Sequence, residues 1–195
     1  MTTAVHNHHD KLIGRWLTVC AVTIFGMILL GGVTRLTESG LSMVDWRPIM
    51  GVMPPLSTAD WVYLFDQYKL YPEYQLVNQG MTLAEFKQIF WFEYLHRMLG
   101  RLIGLMFFIP LMVFLWMGKV RASLKPHLLA LIFLGGCQGL MGWYMVQSGL
   151  VDRPDVSQYR LTAHLGLAIA IYAYIVWLII GLFSPQRRQR DGAPN

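Results

Sequence analysis

Four apolar runs set the terms for this chain: Trp16–Val33, Met98–Met117, Leu128–Val146 and Leu161–Phe183. Each is at least about 18 residues long, the reach an α-helix needs to cross a hydrocarbon layer of roughly 30 Å. Composition agrees. Only 14% of residues are charged and 55% are hydrophobic, where soluble domains carry about 25% charge. The fold class is an all-α membrane protein, a four-transmembrane-helix bundle with spans at about 14–34, 96–117, 127–146 and 161–183. The first run is long and lacks a small-x-small cleavage site, so it reads as a retained span.

The net charge of +5 is explained by where it lies. Lys11 and Arg15 precede the first span. Lys119, Arg121 and Lys125 lie between the second and third. Arg187, Arg188 and Arg190 follow the fourth. The positive-inside rule puts these segments, and both termini, in the cytoplasm, which predicts a multi-pass protein of the inner cell membrane. Charge spent on orientation leaves lipid as the partner and gives no reason to expect nucleic acid. Residues 1–11, with their His-rich VHNHHD, read as a disordered tail, 12–183 as the membrane domain and 184–195 as a basic tail. Cys20 and Cys137 fall inside spans and read as packing residues.

The outer loop, 35–92, has local structure of its own. Pro48, Pro54 and Pro55 mark an extended stretch. Ser57 and Asp60 open a helix whose aromatic residues, from Trp61 to Tyr74, suit a segment lying at the interface. Thr82 and Glu85 form a second capping box. The helix it opens runs from Leu83 to about Met117, roughly 50 Å at ~1.5 Å per residue. Its first third therefore stands outside the bilayer or at its edge.

A weak internal repeat links the two halves. GGVTRLTESGLS ends the first span and LMGWYMVQSGLV the third. Each is followed by a loop and an out-to-in helix with a histidine near its outer end, His96 or His164. The pattern predicts two parallel, quasi-repeated helix hairpins related by an axis along the membrane normal.

The chemistry gathers in FEYLHRMLGR, Phe92 to Arg101. Ionisable groups in spans are costly and mark function. Two histidines at matching depth on separate helices of a bundle suit a heme held between imidazoles. Zinc would want three or four ligands, and no third His or Cys shares this depth. Glu93 and His96, spaced i and i+3, share a helix face. Glu93 can orient the ring, accept a proton or be a ligand itself, or simply pair with Arg97 on the same helix. Gly100 and Gly104 continue roughly along the stripe and leave room for a flat ligand or a close helix contact. Arg35, Arg97, Arg101 and Arg160 are candidate partners for heme propionates, since guanidinium binds carboxylates bidentately. His127, beside Lys125 and Pro126, reads as an interface residue.

TRLTESGLSMVDWRPIMGVMPP, EFKQIFWFEYLHRMLGRLIG and GCQGLMGWYMVQSGLVDRPDVSQYRLTAHLGLA together resemble the heme A synthase family, in its branch without loop cysteines. The resemblance covers roughly residues 12–183. It implies an oxidoreductase of cytochrome oxidase assembly that converts the C8 methyl of heme O to a formyl group by successive hydroxylations, yielding heme A. The family's Glu-x-x-His motif maps onto Glu93 and His96, with the glutamate important for activity, and its second histidine onto His164, in the half that holds the substrate heme. Most members have eight spans and bind a further heme b in their other half. A homodimer, or a partner chain, would restore eight spans here, and a heme O synthase is the natural neighbour. Two rival readings share the histidine pair: a bis-histidine b-type electron-transfer cytochrome, and a non-catalytic heme-binding assembly factor.

Overall fold

The computed structural model describes residues 2–44, 52–151 and 154–184, with side chains from His8 onward. Six helices follow in order: α1 (Thr2–Leu36), α2 (Thr58–Tyr68), α3 (Pro72–Leu76), α4 (Leu83–Trp116), α5 (Lys125–Gln147) and α6 (Gln158–Phe183). There is no strand among the described residues. Four helices, α1 from His8 onward, α4, α5 and α6, are long and apolar enough to span a membrane. The chain is a four-span helical membrane protein, as the apolar runs predicted. Hydrocarbon offers backbone groups no water, so each lipid-crossing segment must satisfy its own hydrogen bonds as a helix.

The helix ends differ from the sequence reading in one instructive place. α1 starts at Thr2, inside residues read as a disordered tail. Extending a formed helix adds one hydrogen bond per residue fixed, so continuation is far easier than nucleation. Asp10 also pairs with Arg121 at 3.7 Å. Pro48 and the basic tail from 185 lie outside the described residues. The two capping boxes are present. Ser57 Oγ accepts from Asp60 N at 3.1 Å and Ser57 N donates to Asp60 Oδ2 at 3.0 Å. Thr82 N donates to Glu85 Oε2 at 2.7 Å, and Glu85 N donates to Thr82 Oγ1 at 3.3 Å.

The long helices divide their packing between two compact units. The first takes α1 up to Gly26, Leu102–Gln138 and the chain from Gly166. Its core is aliphatic, with Ile13, Leu17, Leu111, Leu128 and Ile175 sealed from solvent. Trp16 Nε1 donates to the Met106 carbonyl at 2.9 Å, and the Phe183 ring packs flush on Gly14, where a methyl would come within 2.9 Å of it. His127 does more than sit at an interface: its Nδ1 shares a 2.7 Å hydrogen bond with the Tyr174 hydroxyl, and Tyr174 stacks on Trp177. Cys20 is buried and Cys137 half-buried, both as free thiols.

The second unit takes Met27–Arg101 and Gly139–Leu165. Its core is aromatic. Trp61, Phe65 and Tyr68 of α2 pack against Phe86, Phe90 and Tyr94 on the first three turns of α4. Phe65 stacks on Phe86 with centroids 5.0 Å apart, and Trp61 meets Phe90 edge to face at the same distance. The aromatic stripe read as an interfacial surface thus turns inward, onto the part of α4 that projects beyond its apolar run. Such pairs contribute about 0.5–1.5 kcal/mol each beyond the area they bury.

One carboxyl lies inside this core. Glu73 of α3 is 5% exposed. Tyr68 Oη donates to its Oε2 at 2.9 Å and accepts from Asn78 Nδ2 at 2.7 Å. Burial pushes the Glu73 carboxyl up to about 8; the Tyr68 hydroxyl opposes this, and the carboxylates of Glu93, Glu38 and Asp155 add to it. The folded protein therefore holds a proton there that the unfolded chain releases near pH 4.5. Stability should fall as pH rises from about 5 to about 8 and level off above. Glu73→Gln, which keeps an acceptor for Tyr68, should flatten that slope in thermal melts of the detergent-solubilised protein; parallel profiles for the two proteins would contradict the assignment.

Candidate functional site

The second unit assembles the candidate site around one turn of α4. Glu93 and Arg97 bracket His96 in sequence. Glu93 is 3% exposed, and donors surround its carboxylate. Oε2 accepts from Ser42 Oγ and from the Met43 amide, both at 2.7 Å. Oε1 accepts from Arg97 Nη2, whose guanidinium also donates to the Met43 carbonyl at 3.0 Å. The pairing with Arg97 was one of the readings that spacing allowed. The two contacts to Ser42 and Met43 reach across about fifty residues and could not be read from spacing at all.

Ser42 belongs to the turn that follows α1. Thr34, Ser39 and Ser42 are all buried there. Ser39 N donates to the Thr34 carbonyl at 3.0 Å, and Ser39 Oγ donates to the same carbonyl at 3.1 Å. Glu38 takes φ +50° to make the turn, a left-handed conformation that a non-glycine residue adopts only when its surroundings hold it.

The quasi-repeat has a physical counterpart. In the second Ser-Gly-Leu turn, Ser148 Oγ donates to the Met145 carbonyl at 2.6 Å and accepts from the Ser157 amide at 2.8 Å. The two turns touch: Leu41 of the first presses on Gly149 of the second, where a Cβ would lie 2.6 Å from Leu41 Cδ1. Gly149 leaves that room because it has no side chain.

Both histidines are half-buried. Each rests on a glycine of the preceding long helix. A Cβ on Gly31 of α1 would lie 3.1 Å from His96 Nε2, and one on Gly142 of α5 would lie 3.0 Å from His164 Cε1. These are not the glycines that the helical stripe singled out. Gly100 faces Met27, and Gly104 has no neighbour within 4 Å. The signal for Gly31 and Gly142 was present in the repeat itself, since each opens a Gly…Ser-Gly-Leu motif. Among the described residues no group of three or more His, Cys, Asp or Glu could hold a metal ion.

The four arginines have different surroundings. Arg97 is engaged by Glu93 and Met43. Arg35 makes a long, exposed ion pair with Asp155 at 3.9 Å. Arg101 Nη1 approaches Met98 Sδ at 3.6 Å. Arg160 donates to the Tyr144 carbonyl at 2.8 Å and stacks on the Tyr144 ring at 3.7 Å. It borders an open cleft of about 570 Å³ lined also by Trp143 and Gln147.

Comparison with known proteins gives the family. A model of the cytochrome oxidase assembly protein family, COX15-CtaA, matches residues 14–195. A heme A synthase of Nitrosospira multiformis is 57% identical over 178 residues, 91% of this chain and 50% of the relative. One from Paramagnetospirillum magneticum is 51% identical over 189 residues, 95% of this chain and 52% of the relative. The heme A synthase COX15 of Bos taurus is 49% identical over 185 residues, 92% of this chain and 45% of the relative. The chain spans about half the length of the curated relatives it matches. No solved structure gives a significant match. With residues 14–195 matched by the family and about half of all aligned positions identical to its members, the chain belongs to the COX15-CtaA family of heme A synthases.

Proposed function

We propose that this chain provides a heme-binding half of a heme A synthase, acting on heme O to convert its C8 methyl to a formyl group, with His96 and His164 as the iron ligands. The observation that carries this reading is the pair of glycine-seated imidazoles. Each ring lies against a helix whose missing side chain makes space for it, so two histidines on different hairpins are seated alike. That arrangement fits a flat, iron-bearing ligand better than a four-ligand metal. Heme bound there brings the iron and the methyl group on which the oxidation takes place.

The chain's own residues hold the ligand. Arg35, Arg101 and Arg160 are the propionate partners in this reading, because a carboxylate can replace the exposed contact of Arg35 or join those of the other two. Arg97 serves Glu93 instead. With its acceptor positions already taken by Ser42, Met43 and Arg97, Glu93 fits a role in positioning the reacting face better than one in carrying protons. The positive-inside pattern supports placing the site near the outer face of the inner membrane, with cytoplasmic termini. A heme O synthase would supply the substrate.

Co-expression with a heme O source, in cells unable to make heme A, tests the activity. Chromatography of extracted hemes should show heme A or its hydroxylated precursors; heme b alone would favour an electron-transfer cytochrome and overturn the reading. His96→Ala and His164→Ala should each abolish the product, and full yield from either would remove that residue from the site.

The ring seats can be tested separately. Gly142→Ala should force the His164 ring aside at a cost of about 1–3 kcal/mol, weakening binding of added ferric heme by roughly five- to a hundred-and-fiftyfold. Gly139→Ala, where a methyl meets nothing within 4 Å, should bind heme as the parent does.

A further inference from the structure

We infer that the segment Ser39–Val44 is a latch on the α4 turn that carries His96, and that Ser42 is a positioning residue acting through Glu93. The inference rests on the reading of His96 as a heme ligand, but its physical basis is separate.

Glu93 and Arg97 stand three residues before and one after His96. Between them they engage one short piece of backbone and one hydroxyl: Met43 N and O, and Ser42 Oγ. The latch is thus held by a carboxylate and a guanidinium that also hold each other. Hydrogen bonds to charged groups are the strong ones, and they strengthen further away from water. Ser42 is 2% exposed and Glu93 is 3% exposed, so neither can exchange its partner for solvent. Ser42 Oγ also lies 3.3 Å from the Ser39 carbonyl, but its single proton goes to the shorter, charged contact.

Two further features fit a latch rather than a passive loop. The segment begins directly after the left-handed Glu38, a turn that needs external support. Its Leu41 is seated in the gap at Gly149, so both ends of the candidate site's turns are pinned by one six-residue piece. Freeing Ser42 would leave a buried carboxylate short of a donor and loosen the helical turn bearing His96. The consequence is a histidine whose approach to the heme iron is less well fixed, without any change to the histidine itself.

The test uses the full chain in detergent micelles and three variants: Ser42→Ala, Ser42→Thr and Glu93→Gln. Amide hydrogen exchange at Met43 reads the latch directly. Ser42→Ala and Glu93→Gln should speed it by about tenfold or more, while Ser42→Thr, which keeps the hydroxyl, should stay near the parent. Titration with ferric heme b then reads the ligand geometry. Ser42→Ala should raise the high-spin fraction of the optical spectrum, and Ser42→Thr should restore the low-spin form. Unchanged Met43 exchange in both Ser42→Ala and Glu93→Gln would overturn the latch. Faster exchange with a parental heme spectrum would overturn the positioning role. Because neither readout needs heme O or turnover, a chain that makes no heme A would fail the proposed function while these two results still decide the latch.

Discussion

The cost of a polar group away from water governs this molecule. Hydrocarbon can host a peptide only as a hydrogen-bonded helix, and it hosts charge only at a price. Four helices follow from that constraint, and so does the crowding of ionisable side chains into a few turns. The same rule then works at smaller scale. Where Glu93 is buried, it is met by a hydroxyl, an amide and a guanidinium. Where Glu73 is buried with only a tyrosine beside it, it keeps its proton instead. Of the two buried carboxyls in this unit, Glu93 has cationic company and Glu73 does not.

The outer segments depend on α4 continuing beyond its apolar run. Its first three turns give α2 a face to cover, and six aromatic rings close the gap. This gives the loop after α1 a rigid wall to fasten to. The fastening and the ring seats then belong to one design: the residues that bracket His96 on α4 are those that hold Ser39–Val44, and the glycines that seat the two imidazoles lie on the helices preceding each loop.

Much of the fold was legible. Apolar runs gave the four spans, capping signatures gave the starts of α2 and α4, and the quasi-repeat anticipated that the two Ser-Gly-Leu turns are related. The histidine pair was legible for the same reason, because an ionisable residue at a span end stands out against apolar neighbours. What the sequence pattern left open has a common cause. The aromatic stripe of α2 and the helical stripe of Gly100 and Gly104 were read from periodicity along single elements, and periodicity says which residues share a face but not what that face meets.

By itself, then, the sequence determined the four spans and marked His96 and His164 as ionisable residues near span ends, because those follow from local hydropathy, charge and spacing. Only the tertiary structure decided that Gly31 and Gly142 seat the histidines, that Arg97 is spent on Glu93, and that Ser42, some fifty residues away, completes the carboxylate's shell. Those facts depend on which surfaces meet across long loops, and a buried polar group's partners are chosen by that meeting rather than by its neighbours in the chain.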